Sequence, residues 1–196
     1  MIDVTDGYVT KKNLEIQSSR LTTLLERFPA GVWKNGGQLK LPNRRSFMAM
    51  LARRLASQGG ATPHGALLML DIDHFKKVND TYGHPVGDLV LQQMVQVMRQ
   101  SLRADDYAAR LGGEEFVVLL HQTTLEESRL LAERLRECVA SQPTEAGEAG
   151  MIAITVSIGL VELAGQESQM ALEHADKALY AAKAGGRNRV CIATPD

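Results

Sequence analysis

The chain has 196 residues, 44% of them hydrophobic and 23% charged, with a formal net charge of -1. That length suits one domain with a real core plus a short appendage, and the balanced charge argues against a general nucleic-acid binder, which needs excess cation for a polyphosphate backbone. No apolar run can span a bilayer, the acidic N-terminus does not resemble a signal peptide, and Cys138 and Cys191 sit in apolar patterns without metal-ligand spacing, so the expectation is a cytoplasmic protein with reduced core thiols and no membrane partner.

Residues 1–37 read as a region separate from the domain at 38–196. Leu14, Leu21, Leu24, Leu25 and Phe28 share one stripe at helical spacing, ended by Pro29. The stripe suits either a helix packed on its own domain or a dimerising stalk, and the stalk is the expectation. Trp33 to Gly37 reads as a linker. Pro42-Asn43-Arg44-Arg45 opens a helix with Phe47, Leu51 and Leu55 on its buried face, closed by a Gly/Pro loop from Gly59 to Gly65. Ala66 to Leu70 is a continuous apolar run, as in a strand covered on both faces. It ends at Asp71-Ile72-Asp73, where strand alternation puts the two carboxylates on one face and Ile72 on the other.

Phe75 to Asp80 forms a short turn or helix, broken at Gly83, and Pro85 starts a helix buried through Leu91, Met94, Val95, Met98 and Leu102. In Arg110 to Leu120, two apolar runs flank Gly112-Gly113, a β-hairpin signal because tight turns need the positive φ that glycine supplies. Glu114 and Glu115 follow at once. Adjacent like charges at a sheet end repel and favour protonation unless a cation such as Mg²⁺ neutralises them. Thr124 and Glu127 make a capping box for a helix buried through Leu131, Leu135 and Cys138. Pro143–Gly150 reads as a polar loop, Ile152 to Val161 as a strand, and Met170, Leu172, Ala175, Leu179 and Ala182 mark a helix stopped by Gly185-Gly186. Val190 to Ala193 is a closing strand.

This order predicts an α+β fold, a ferredoxin-like βαββαβ core with added helices and strands, preceded by an N-terminal helix. Its sheet would set the end of the Asp71 strand beside the hairpin tip. Asp71, Glu114 and Glu115 would then converge with Asp73 nearby, as a two-metal phosphoryl-transfer site requires.

Asp71-Ile72-Asp73-His74-Phe75-Lys76-Lys77-Val78-Asn79-Asp80, Gly83 to Asp88, Arg110 to Phe116, Ala175 to Lys183 and Gly186 to Val190 together resemble the GGDEF domain of diguanylate cyclases, in a GGEEF variant. The likeness covers roughly residues 38 to 193 with several motifs in order. It implies condensation of two GTP into cyclic di-GMP with release of pyrophosphate, by a homodimer using two Mg²⁺ per site, with Mn²⁺ as an alternative ion. It implies metal ligation by Asp71, Glu114, Glu115 and the Ile72 carbonyl, with Glu114 cast also as the base at the ribose 3′-hydroxyl. It casts Asn79 and Asp88 as guanine readers with His84 near the nucleoside, and Lys183, Arg187 and Lys76 as phosphate holders. An ionised Asp only accepts hydrogen bonds, which suits guanine's N1–H and amino group and rejects adenine.

Arg103-Ala104-Asp105-Asp106 fits the family's RxxD site for product inhibition, with Arg134 as a second contact supplied by a neighbouring surface. The alternative for Arg103 and Asp106 is a weak surface ion pair. One departure concerns the Asp-x-Leu-Thr-Gly run usual before Leu41, which here reads Gly36-Gly37-Gln38-Leu39-Lys40. It touches the coupling of the N-terminal helix, not the metal or guanine positions. The rival expectation is a catalytically silent receptor for GTP or cyclic di-GMP acting through that helix. A cyclase making a cyclic mononucleotide is a third.

Overall fold

The computed structural model describes residues 33–35, 38–56, 65–165 and 167–193. The predicted helix carrying Leu14 to Phe28 lies outside them, as does most of the Gly59–Gly65 loop. The strands are β1 (Trp33–Asn35), β2 (Gln38–Lys40), β3 (Gly65–Ile72), β4 (Tyr107–Gly112), β5 (Glu115–His121), β6 (Thr144–Glu145), β7 (Met151–Ile152), β8 (Val156–Glu162) and β9 (Val190–Ile192). The helices are α1 (Arg44–Ala56), α2 (Phe75–Tyr82), α3 (His84–Ser101), α4 (Leu125–Ser141) and α5 (Ser168–Ala184).

Five strands form the main sheet in the order β4-β5-β3-β8-β9. Neighbours are antiparallel except β8 and β9, which run parallel. The first four give the ferredoxin-like arrangement, with the strand that opens the core lying between the second hairpin strand and the last core strand. β3 is buried at every position because it is central and covered on both faces. Leu68, Leu70, Ile72, Phe116 and Val118 face one way, against Met94 and Val95 of α3 and Leu135 of α4. Leu67, Met69, Val117 and Leu119 face the other way, against Phe47 and Leu51 of α1 and Leu172, Ala175 and Leu179 of α5. The alternation expected at Asp71 and Ile72 therefore holds, and it aims Asp71 at the α5 side.

Local signals explain the element starts. Asn43 Oδ1 accepts from the Ser46 N–H at 3.0 Å, capping α1. Thr124 and Glu127 form the predicted capping box of α4. The β4–β5 hairpin forms, and of its glycine pair Gly113 takes the positive φ.

Several expectations need correction. Trp33 to Asn35, read as linker, pairs antiparallel with Gln38 to Lys40. The Pro143–Gly150 loop contains β6 and a 3₁₀ turn, and β6 pairs with β7. The strand expected from Ile152 to Val161 is consequently two pieces, β7 and β8, joined through residues 153–155. Ile152, Ile154 and Val156 are all buried, so apolar alternation runs straight through the break and hides it. Met170 is half exposed, because α5 buries Ala171, Leu172, Ala175, Ala178, Leu179 and Ala182, a stripe one position around from the expected start. On α4 the most buried face is Ser128, Ala132, Leu135 and Val139, with Leu131 and Cys138 on its flank. Cys138 and Cys191 are free thiols, only partly buried.

Candidate active site

The site is built where β3 ends. Asp71 is opposite Glu115 in the β3–β5 ladder, and the Ile72 N–H donates to the Glu114 carbonyl at 3.4 Å. Two acidic segments more than forty positions apart in the sequence thus share one sheet end, as the strand order demands. Asp71 is buried at 7% exposure, and its Oδ2 lies 2.8 Å from Lys183 Nζ on the last turn of α5. Burial pushes its carboxyl above the usual carboxylate range, opposed by the hydrogen bond and charge of Lys183 and reinforced by the charges of Glu114 and Glu115. Lys183 therefore meets a carboxylate directly, a contact its expected role with phosphate did not foresee.

The donors here suit a hard divalent ion: two glutamates, an aspartate and the Ile72 carbonyl, all oxygen. The backbone register fits that set. Among the described residues, however, no three His, Cys, Asp or Glu side chains are gathered closely enough to hold an ion as they stand, Asp71 being turned to Lys183.

Asn79 and Gly87 bring α2 and α3 together. A Cβ at Gly87 would fall 2.0 Å from Asn79 Oδ1, so only glycine lets the Asn79 side chain lie against α3 one residue before Asp88. Asp88 and His84 are exposed on the first turns of α3, and Lys76 is exposed on the first turn of α2. α2 follows His74, which adopts φ 57 and supplies no side-chain cap to the helix. Arg187 is exposed in the turn between α5 and β9 at φ 63.

Away from this strand end, a surface cavity of about 310 Å³ gathers Arg103, Asp106, His121, Glu127 and Arg134. Arg134 belongs to the same surface as Arg103, where a neighbouring surface was expected. Asp106 is held by main-chain donors rather than by an ion pair with the Arg103 side chain: the Arg103 N–H donates to its Oδ2 at 2.8 Å, and the His121 N–H to Oδ1 at 3.3 Å. Asp106 is 2% exposed, and burial raises its carboxyl despite both bonds. Its first task is to hold the cavity wall. His121 was not singled out from the sequence; only its place at the end of a strand facing the RxxD turn could have flagged it. Asp73 was expected only to lie near the acidic group. It is buried and accepts from Thr155 Oγ1 and Ser157 Oγ, both at 2.6 Å, and from the Asn188 N–H at 3.0 Å. The same-face spacing of Thr155 and Ser157 was the available signal.

The sequence profile described as diguanylate cyclase, GGDEF domain, matches residues 39–189. Diguanylate cyclase DgcP of Pseudomonas aeruginosa is 44% identical over 155 residues, 78% of this chain and 23% of that protein. Response regulator PleD of Caulobacter vibrioides is 43% identical over 155 residues, 76% of this chain and 34% of that one. The GGDEF domain of DgcB from Caulobacter crescentus, solved in complex with c-di-GMP, is similar with a TM-score of 0.75 at 37% identity, covering 82% of this chain and 95% of that one. The chain spans less than half the length of these two curated relatives.

Proposed function

The chain belongs to the GGDEF family, and from that premise we propose that it is a diguanylate cyclase, joining two GTP into cyclic di-GMP and releasing two pyrophosphates. The observation that carries this reading is the pairing of Asp71 with Glu115 beside the Ile72–Glu114 hydrogen bond. It concentrates negative oxygen where a triphosphate's cations would lie.

Asp71, Glu114, Glu115 and the Ile72 carbonyl would hold two Mg²⁺, with Mn²⁺ as an alternative, which when bound neutralise the triphosphate and make the 3′-hydroxyl more acidic. Asp88 and Asn79 accept from and donate to the guanine edge, with His84 beside the nucleoside. The pocket left by Gly87 supports this by setting Asn79 against α3. Lys183 leaves Asp71 for the phosphates on nucleotide binding, joined by Arg187 and Lys76. The start of α2, without a side-chain cap from His74, offers N–H groups to the same anion.

One copy holds one GTP, so the reaction takes a facing pair of copies. The 3′-oxygen of one GTP attacks the α-phosphorus of the other, and pyrophosphate leaves. The reciprocal attack closes the ring and expels the second pyrophosphate. Glu114 would accept the 3′-proton. Product returns to the cavity of Arg103, Asp106 and Arg134, where the guanidinium groups take phosphate or a guanine edge. The complex of the similar DgcB domain with c-di-GMP supports product as a ligand of this fold.

The test is product identification by mass after incubating purified protein with GTP and Mg²⁺. Cyclic di-GMP is expected from the wild type and none above background from Glu114→Ala. A folded, GTP-binding wild type that yields no cyclic dinucleotide overturns the proposal.

A further inference from the structure

The turn from α5 into β9 carries Arg187, and its backbone is unusual. Gly186, Arg187 and Asn188 take φ of 111, 63 and 45 in succession. Two consecutive non-glycine residues in the left-handed region persist only where the surroundings fix them. Two side chains from distant segments do so. Asp73, two residues beyond Asp71, accepts the Asn188 main-chain N–H at 3.0 Å. Arg136 of α4 donates from Nη1 to Asn188 Oδ1 at 3.0 Å and is itself held by Glu133 at 2.7 Å.

Asp73 has no need of that bond for its own solvation. Thr155 and Ser157 already donate to both of its oxygens, and its own N–H donates to the Thr155 carbonyl at 2.9 Å. The third bond instead fastens the Arg187 turn to the end of β3 and the start of β8. The remaining ties are local or run along the main chain: Arg189 Nε donates to the Arg187 carbonyl at 3.1 Å, the Gly186 N–H to the Lys183 carbonyl at 3.4 Å, the Arg187 N–H to the Ala182 carbonyl at 3.0 Å and the Ile158 N–H to the Arg189 carbonyl at 2.9 Å.

We propose that Asp73 and Arg136 are positioning residues. Gripping Asn188 by its main chain and its side chain, they hold the adjacent Arg187 where it meets the nucleotide's phosphates. The inference rests on the reading of Arg187 as a phosphate holder. It predicts a loss confined to the phosphate part of the ligand.

The probe is the GTP analogue with a methylene group between the α- and β-phosphorus atoms, which cannot lose pyrophosphate, titrated calorimetrically with Mg²⁺ beside guanosine alone. Asp73→Ala weakens analogue binding at least about tenfold, as expected for a misplaced charged contact, and leaves guanosine binding unchanged. Arg136→Ala, which spares the buried network, weakens it about threefold, within the usual range for a partly exposed polar contact. Asp73→Asn restores most of the loss, because its carbonyl oxygen accepts from the Asn188 N–H and its amide donates to Ser157. In an Arg187→Ala background neither change weakens binding further, since both act through Arg187.

Equal losses for analogue and guanosine overturn the proposal. So do losses that add to that of Arg187→Ala, or an Arg187→Ala that itself leaves the analogue's affinity unchanged. If Asp73→Ala does not fold, Asp73→Asn and Arg136→Ala decide alone. Turnover of GTP by the wild type is scored separately: a chain that binds the analogue but makes no cyclic di-GMP fails as a cyclase while the binding series still judges the clamp. A wild type that binds no analogue overturns both.

Discussion

Lys183 touches Asp71 at 2.8 Å at the buried end of β3, so one cation answers for a carboxylate that burial makes costly to ionise. With GTP present, the same ammonium is proposed to turn to phosphate. Lys183→Ala should therefore raise the KM for GTP by about tenfold or more, the cost of about one charge-assisted hydrogen bond, which a Michaelis series on the folded variant reads. His121 sets a pH dependence. Burial first, then the Arg54 charge, hold its imidazole below 6.5, against the opposing pull of Asp105 and Asp106. A lowered folded pKa means that the unfolded chain binds the proton more tightly. Stability from this group is therefore complete above pH 6.5 and is lost as pH falls through that value toward the folded pKa. Denaturant midpoints at pH 7.5 and 5.5 should converge in His121→Gln relative to the wild type. At this scale the acids were legible: Glu114 and Glu115 follow a Gly-Gly turn, and Asp71 closes an apolar strand. The work of Asp73 was not, because its partners Thr155, Ser157 and Asn188 lie more than eighty positions away and only the fold brings them near.

The elements that carry the site depend on close packing. At Gly159 of β8 an added Cβ would lie 2.2 Å from the Ala175 carbonyl oxygen and 2.3 Å from the Leu179 nitrogen, both backbone atoms of α5 that cannot step aside. Gly159→Ala should cost about 1–3 kcal/mol or more in urea unfolding and lower cyclase activity as well, because α5 carries Lys183. Strong local chemistry made most elements readable: the Thr124–Glu127 capping box starts α4 where expected, and the glycine-paired hairpin gives β4 and β5. The small β6–β7 pair was hidden for the opposite reason. Its strands are too short for a period, and Ile152, Ile154 and Val156 continue an apolar alternation across the bend. The α5 stripe was misjudged at its start because small residues, Ala171, Ala175, Ala178 and Ala182, carry much of its buried face while Met170 points outward.

Among the described residues one strand end gathers Asp71, Glu114 and Glu115, and the proposed product contains two nucleotides, so the proposed reaction takes a pair of copies. If residues 1–28 hold that pair together, deleting them should lower the specific rate most at low protein concentration and least at high, because they raise the local concentration of the facing site. Arg103→Ala should leave the initial rate intact and remove the slowing that accumulates with product, seen in full progress curves. The sheet order was legible in the sequence because a helix, a hairpin and a second helix between strands leave few ways to close the core. The covering of that core was legible too, since β3 is apolar without interruption before Asp71. The direct measurement of the central claim is electron paramagnetic resonance of Mn²⁺ titrated with the methylene analogue of GTP. The wild type should bind two Mn²⁺ per chain, coupled at about 3.5–4 Å, with the coupling lost in both Asp71→Ala and Glu114→Ala. Mn²⁺ bound equally by wild type and both variants, as by free nucleotide, would contradict the account.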